Sequence, residues 1–308
     1  MTDASLVDVS VVLPTHNRPE LMALGLRSVL AQSLAGITGE VVIVFDACAI
    51  EVPDVEIPAG WSVRGIANTR TRGLAGARNS GILDARGEFV AFLDDDDEWL
   101  PGKLAAQLER FAQYPDALVV GTAMVVDDGE NRHVRLVPTE TLSHEAFLRN
   151  RNPGLHSSSL VFRRSMLLGE LGLIDEELPR SYGEDYDILL RASALGLVSV
   201  VNEPLVRVLW NGQSYYFGKW AAYAEALQYL LRKHPDFASI PRALGRIEAQ
   251  VSFALASSNK PGDARHWAWR AIRHDFRQVK AYLAVLISLR LVTPHAITRV
   301  VQRFGRGI

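Results

Sequence analysis

Apolar residues come in short, nearly unbroken runs through the first half of the chain and at helical spacing through its last third. Val9-Ser10-Val11-Val12-Leu13 reads as a buried strand that Pro14 ends. Glu40–Phe45 (EVVIVF) is a second strand, rich in β-branched residues, with Trp61–Ala67 a third and Phe89–Leu93 (FVAFL) a fourth. Helical stretches lie between them. Asn17, with Glu20 three positions on and Pro19 in the first turn, forms a capping-box start, and Leu21, Leu24, Ser28 and Val29 continue one face. Ala75–Ala85 is a second helix, closed by Gly87, and a third begins near Pro101. Strands alternating with helices, with the strands apolar on both faces, predict an α/β fold around a mostly parallel covered sheet.

Further along, residues 117–126 and 132–137 flank Asp127-Asp128-Gly129 as a hairpin. Ser157–Arg163 reads as another strand and Glu184–Gly196 as a helix with a glycine cap. From about Tyr215 the pattern is helical only: Tyr223–Lys233, Arg242–Ala256, Asp263–His274, Val279–Leu291 and Pro294–Phe304. Gly262-Asp263-Ala264 with Ala268, Ala271 and Ala281 suits a tetratricopeptide-type hairpin, in too few units for a repeat array. The division expected is an α/β domain over 1–214 and an all-α extension over 215–308.

Charge sharpens that boundary. The net charge of −2 hides 18 Lys and Arg against 30 Asp and Glu in residues 1–218, and 15 against 5 in residues 219–308. A basic helical tail implies an anionic partner: a lipid headgroup surface, a lipid-diphosphate acceptor or an acidic protein. Ala281–Leu291, followed by Arg299, Arg303 and Arg306, favours contact with an anionic membrane surface. No nucleic-acid reading motif interleaves the basic residues, so no nucleic-acid partner is expected. One cysteine, Cys48, fits a reducing compartment. With no basic, apolar leader at Met1 and no apolar run near 18 residues, the expected setting is cytoplasmic, at most peripheral at the inner face of the membrane.

In parallel sheets ligands bind beyond the carboxyl ends of the strands. Three strands end there in polar or acidic residues: Thr15 and Asn17, Asp46, and Asp94-Asp95-Asp96-Asp97. Four adjacent carboxylates repel one another, and a hard cation relieves that cost while phosphate oxygens fill its remaining positions. The bland reading of the same run is a solvated acidic turn. Glu184-Asp185 opens a helix, where acidic residues serve as caps or, within reach of a hydroxyl, as a general base. Asp46 either caps a turn or accepts from a base or ribose. Arg78, early in the helix after Gly73 and Gly76, is either an exposed ion-pairing residue or a diphosphate contact. His156 and Trp210 are weaker candidates, for an acceptor subsite.

These pieces together resemble the family-2 glycosyltransferases of the GT-A fold. The runs VSVVLPTHNRPELMALGLRSVLAQS, EVVIVFDAC, GLAGARNSGILDARGEFVAFLDDDDEWLPGKL and YGEDYDILLRASALG stand in family order over roughly residues 8–215. The resemblance implies a Rossmann-like mixed sheet and an inverting, metal-dependent transfer of sugar from a nucleoside diphosphate donor to a glycan, lipid-linked or small-molecule acceptor hydroxyl. It places Pro14, Thr15 and Asn17 at the nucleotide edge and Asp46 on the base. Asp94-Asp95-Asp96 becomes the DxD element, with Asp96 and Asp94 holding Mn²⁺ or Mg²⁺ and Asp94 or Asp95 near the ribose. Asp185 is the base, supported by Glu184, and Arg191 is structural. Phe45 stands where many members carry an acidic residue, and Ala47-Cys48 replaces a small polar turn, so thymine and guanine stay open beside uracil. The late-loop stretch Leu209-Trp210-Asn211-Gly212 lacks the family's histidine, so no third metal ligand is assigned. Two rivals compete with this reading: a sugar-nucleotide pyrophosphorylase-like transferase, and a non-catalytic nucleotide-sugar-binding scaffold acting through the helical tail.

Overall fold

The computed structural model describes residues 7–33, 36–137, 139–210 and 219–297. The helix expected at Pro294–Phe304 therefore lies partly outside the described residues, as do Arg299, Arg303, Arg306, Asn211 and Gly212. The chain forms two compact units. The first takes Met1–Phe147, Arg151–Glu176 and Glu184–Gly212, and the second Leu148–Asn150, Glu177–Gly183 and Gln213–Ile308.

In chain order the first unit runs β1 (Val9–Thr15), α1 (Pro19–Leu30), β2 (Gly39–Phe45), β3 (Trp61–Ala67), α2 (Leu74–Asp84), β4 (Phe89–Phe92), β5 (Asp97–Trp99) and α3 (Lys103–Gln113). There follow β6 (Ala117–Asp127), β7 (Arg132–Arg135), β8 (Thr141–Leu142), α4 (His144–Arg149, of which Leu148 and Arg149 count with the second unit), β9 (Val161–Arg163), α5 (Arg164–Leu168), α6 (Glu184–Leu195) and β10 (Leu197–Leu209). The strands make one mixed sheet, ordered β3-β2-β1-β4-β9-β6-β10-β5, with β7 on β6 and β8 on β10. β3, β2, β1 and β4 are parallel, and β9 pairs antiparallel with both β4 and β6. β1 and β2 are buried at every position, as their unbroken apolar runs require. This is the mixed α/β sheet that the resemblance implies.

Several local expectations need correction. Pro14 does not end β1: it lies inside it, opposite Val44 of β2. The β4 register stops at Val12–Phe92, and the Val12 carbonyl accepts from Leu93 N on that side. Two residues on, Pro14 points the same way, past the end of the ladder, so its missing N–H forfeits no bond. α1 starts where expected, but Asn17 does not cap it: Arg18 is the N-cap, with no side-chain cap bond, and Asn17 is left-handed at φ 53°. Its buried face is Met22, Gly25, Leu26, Val29 and Leu30, while Leu24 is exposed. Ser157–Ser159 is a 3-10 turn, so the expected strand shrinks to Val161–Arg163. β10 has no counterpart in the sequence reading; Asn202, Glu203 and Pro204 break its apolar run, and the register shifts at Pro204. Residues 205–209, which follow that break, are strand as well.

The second unit holds α7 (Trp220–Lys233), α8 (Pro241–Ser257), α9 (Pro261–His274) and α10 (Val279–Ser288). Ala249, Ala268, Ala271 and Ala281 form a cluster of small buried side chains. Glu248, fully buried on α8, accepts from Arg270 Nε at 2.9 Å and pairs with His274 Nδ1 at 2.6 Å, both on α9.

Two helical glycines separate propensity from space. A Cβ at Gly76 of α2 would overlap the Thr71 carbonyl oxygen and lie 2.8 Å from its carbon, whereas one at Gly262 of α9 meets nothing within 4 Å. Alanine gains about 1 kcal/mol over glycine in a helix interior, and overpacking against fixed backbone costs about 1–3 kcal/mol. Urea unfolding should therefore show Gly76→Ala destabilised and Gly262→Ala neutral or stabilised by up to about 1 kcal/mol. Equal shifts in both variants would refute this packing.

Candidate active site

Because β1 pairs in parallel with both β2 and β4, their carboxyl ends lie side by side. Three of the acidic or polar strand ends singled out in the sequence thus share one rim. Thr15 Oγ1, at the end of β1, donates to Asp95 Oδ2 at 2.9 Å. Asp46, at the end of β2, accepts from Asn68 Nδ2 at 2.7 Å and from Gly73 N at 2.9 Å. Both its oxygens thereby order the loop that leads into α2. Glu176 holds the same loop, accepting from Arg70, Thr71 and Asn79. Burial would raise the Glu176 carboxyl, but those bonds bring it down to about 2.

Arg78 is neither exposed nor free. It is 1% exposed, and its two terminal nitrogens bond Asp94 Oδ1, at the end of β4, and Glu184 Oε1, at the start of α6 (2.5 Å). The guanidinium is a buried cross-link, so the expected diphosphate contact gives way to a supporting role. Burial would lower its pKa, and the two carboxylates raise it instead. Burial likewise favours a neutral Asp94, yet Arg78, His156 and the bond from Ser157 hold its carboxyl below the usual range. Glu184 moves the other way. Burial pushes it up to about 7, against the pull of Arg78 and with help from Asp185 and Asp94.

Two more protein cations meet the aspartate run. Arg18 Nη1 lies 3.1 Å from Asp95 Oδ1 and 3.0 Å from Asp96 Oδ2, with its side chain 42% exposed. Even so, burial and the charges of Asp97, Asp94 and Asp95 push Asp96 up to about 6, and burial also raises Asp95. His156 Nδ1 lies 3.2 Å from Asp97 Oδ2, which also accepts from Ser158 Oγ at 2.5 Å. Burial disfavours the imidazolium, but Asp97, Asp94 and Asp185 carry His156 up to about 9. Expected at an acceptor subsite, His156 thus sits against the acidic cluster. Among the described residues, ligand atoms of Asp94, Asp97 and His156 lie within 4.8 Å of one another. The carboxylate oxygens of this trio suit Mn²⁺ or Mg²⁺, whereas His156, while protonated, offers them a positive charge and no lone pair. Asp94 belongs to this trio, and Asp96, paired to Arg18, stands outside it.

Asp185 accepts from Arg151 Nη2 through both oxygens, at 2.9 and 2.7 Å. Burial would raise it, and Arg151 with His156 holds it below the ordinary carboxylate range, ionised at neutral pH. Trp210 is half-buried against the sheet core, its backbone N–H donating to the Asp127 carbonyl at 2.7 Å. Asn17 is exposed beside His16. Arg191 bonds Asp187 and the carbonyls of Leu171 and Leu173, the structural part expected of it. The sequence reading missed Arg18, Arg151, Ser157 and Ser158. It also missed Lys103, which is fully buried 3.9 Å over the Trp99 ring and donates to Gln107 Oε1 at 2.7 Å.

Comparison with known proteins bears on the family and the fold. The family described as Glycosyl transferase family 2 matches residues 10–168. The succinoglycan biosynthesis protein ExoO of Rhizobium meliloti is 34% identical over 204 residues, 61% of this chain. The match spans 56% of that relative's own length, little more than half of it. Among solved structures, S. aureus TarS 1-349 in complex with UDP-GlcNAc superposes with a TM-score of 0.58 at 16% identity, covering 90% of this chain and 91% of that one. The mannosyltransferase PcManGT of Pyrobaculum calidifontis, in complex with GDP-Man and Mn²⁺, gives 0.55 at 19% identity, covering 98% and 85%. The chain belongs to glycosyltransferase family 2 and has the GT-A fold.

Proposed function

We propose that this glycosyltransferase moves a sugar from a nucleoside diphosphate carrier to an acceptor hydroxyl in one displacement that inverts C1. The observation that carries the reading is the Arg78 cross-link, which ties the aspartate run at the end of β4 to Glu184 and so sets Asp185 beside it. Donor-bound structural neighbours, with UDP-GlcNAc in one and GDP-Man with Mn²⁺ in the other, support a nucleotide-sugar donor. The relative named for succinoglycan biosynthesis supports a place in polysaccharide, cell-envelope or glycoconjugate synthesis. The cellular setting we propose is cytoplasmic, at the inner face of the membrane.

In this mechanism Pro14, Thr15, Asn17 and Asp46 line the nucleoside end, with Asp95 toward the ribose. Asp94 and Asp96 would hold Mn²⁺ or Mg²⁺, and Asp97 stands close enough to Asp94 to add a carboxylate oxygen. When bound, the cation neutralises the departing diphosphate. The Asp185 carboxylate takes the acceptor's proton as the acceptor oxygen bonds C1, and the C1–oxygen electron pair leaves with the nucleoside diphosphate. Arg151 keeps that carboxylate ionised and oriented until the acceptor hydroxyl reaches it. Glu184 fixes the start of α6 through Arg78. Trp210 and the loops within 127–156 border the acceptor side.

Proton abstraction and donor binding use separate groups. Asp185→Asn should lower the transfer rate by about 10²–10⁴-fold while calorimetric nucleotide affinity holds. Asp96→Ala should weaken nucleotide binding in Mn²⁺, and affinity indifferent to the metal would remove the acidic run from this role. Because Arg151 depresses the Asp185 pKa, Arg151→Ala should raise it and move the acid limb of the kcat–pH profile to higher pH. A limb that stays in place would exclude Asp185 as the base.

A further inference from the structure

The second unit carries an outer surface that its own fold leaves apolar. α10 is apolar on two opposite sides. Ala281, Ala284 and Ile287 are buried within the unit, while Val279, Tyr282, Leu286 and Leu289 stand open at 66%, 44%, 37% and 54% exposure. At 3.6 residues per turn, positions 279, 282, 286 and 289 fall on one stripe, opposite 281, 284 and 287. The stripe runs on past both ends of the helix. Phe276 is 66% exposed and its carbonyl accepts from the Tyr282 hydroxyl at 2.8 Å; Leu291 is 67% exposed. A soluble surface rarely leaves so continuous an apolar strip open, and such strips mark interaction sites.

What covers the strip follows from the charge around it. Residues 261–297 hold six Lys and Arg against two Asp, and residues 276–297 hold no acid. Asp275 is nearly buried and accepts from Arg277 N and Gln278 Nε2, and Asp263 lies in the first turn of α9. Arg277 stacks over Phe276 with 5.4 Å between guanidinium and ring centre, and Arg273 over Trp269 at the same distance, with Trp269 60% exposed. Aromatic and aliphatic side chains flanked by arginines, with no acid among them, match the boundary between acyl chains and anionic headgroups. A second copy of the same strip would bring Arg277 and Arg290 against their like, which is unfavourable.

We propose that the outer face of α10, with the turn before it, docks on an anionic lipid bilayer. Phe276, Tyr282, Leu286 and Leu289 sit at the headgroup–acyl boundary, and Arg273, Arg277 and Arg290 meet lipid phosphates. This deepens the membrane-side setting proposed above and stands independently of sugar transfer.

The test uses the full chain, without donor or acceptor, in co-sedimentation with phosphatidylcholine vesicles that contain or lack phosphatidylglycerol. The chain should pellet with the phosphatidylglycerol vesicles at low salt and be released as salt rises. Leu286→Glu/Leu289→Glu and Arg277→Glu/Arg290→Glu should each weaken retention by at least about tenfold. All four side chains are outside the core, so both variants should melt like the wild type and keep nucleotide-dependent thermal stabilisation, which reports on the donor site separately. Absence of wild-type retention at low salt, equal retention on neutral vesicles, or unchanged binding by both variants would overturn the proposal. So would sedimentation velocity showing a dimer that the leucine variant dissolves while vesicles bind neither form, since the strip would then join two copies.

Discussion

Four successive carboxylates at the end of one strand repel each other, and the first unit is arranged around relieving that repulsion. Asp94 is answered by Arg78 from α2, Asp95 and Asp96 by Arg18 from the start of α1, and Asp97 by His156 from the turn before β9. Three segments distant in sequence each contribute one cation to one short run. The compensation is incomplete at Asp96, which burial and its three neighbours still push up to about 6. A pocket that remains electronegative after its own cations are counted attracts a further cation and, through it, a diphosphate.

The sheet explains why these groups converge. Parallel pairing of β2, β1 and β4 delivers Asp46, Thr15 and Asp94 to one rim, and the antiparallel insertion of β9 beside β4 brings Ser157, Ser158 and His156 over it. Ser158 joins the two halves: its hydroxyl donates to Asp97 and accepts from the Asp94 N–H, while its carbonyl accepts from Trp99 Nε1. Reversing the direction of β9 would remove that turn from the rim.

Much of this was readable from residue order. Unbroken apolar runs identified β1, β2 and β4, and their polar ends predicted the rim, because strand direction follows from alternation with helices. The aspartate run and Glu184-Asp185 were visible for the same reason, as acids directly beside apolar segments. What could not be read were pairings across long separations. Nothing local to THNRPE says that Arg18 meets Asp95, or in LRNRNP that Arg151 meets Asp185. Arg78 reads from the sequence as an exposed ion-pairing residue or a diphosphate contact, since an arginine early in a glycine-rich helix ordinarily faces solvent. Its burial depends on two carboxylates arriving from elsewhere. β10 escaped notice because Asn202-Glu203-Pro204 reads as a turn and is instead an irregularity in one long strand.

The three compensating cations differ in permanence. Arg78 is sealed in, and withdrawing it would leave Asp94 and Glu184 buried without a partner, so it belongs to the fold as much as to the site. Arg18 has its side chain nearly half exposed and bonds buried Asp95 and open Asp96 through one nitrogen, a contact of the kind that water and salt weaken readily. His156 lies between these extremes, its positive charge held by Asp97 and Asp94 and lost if its proton leaves. The run is thus anchored at Asp94 and Asp97 and loosely held at Asp96 between them. That contrast allows one rim to stay folded without a ligand and still exchange the exposed counter-ion Arg18 for a cation that arrives with a donor.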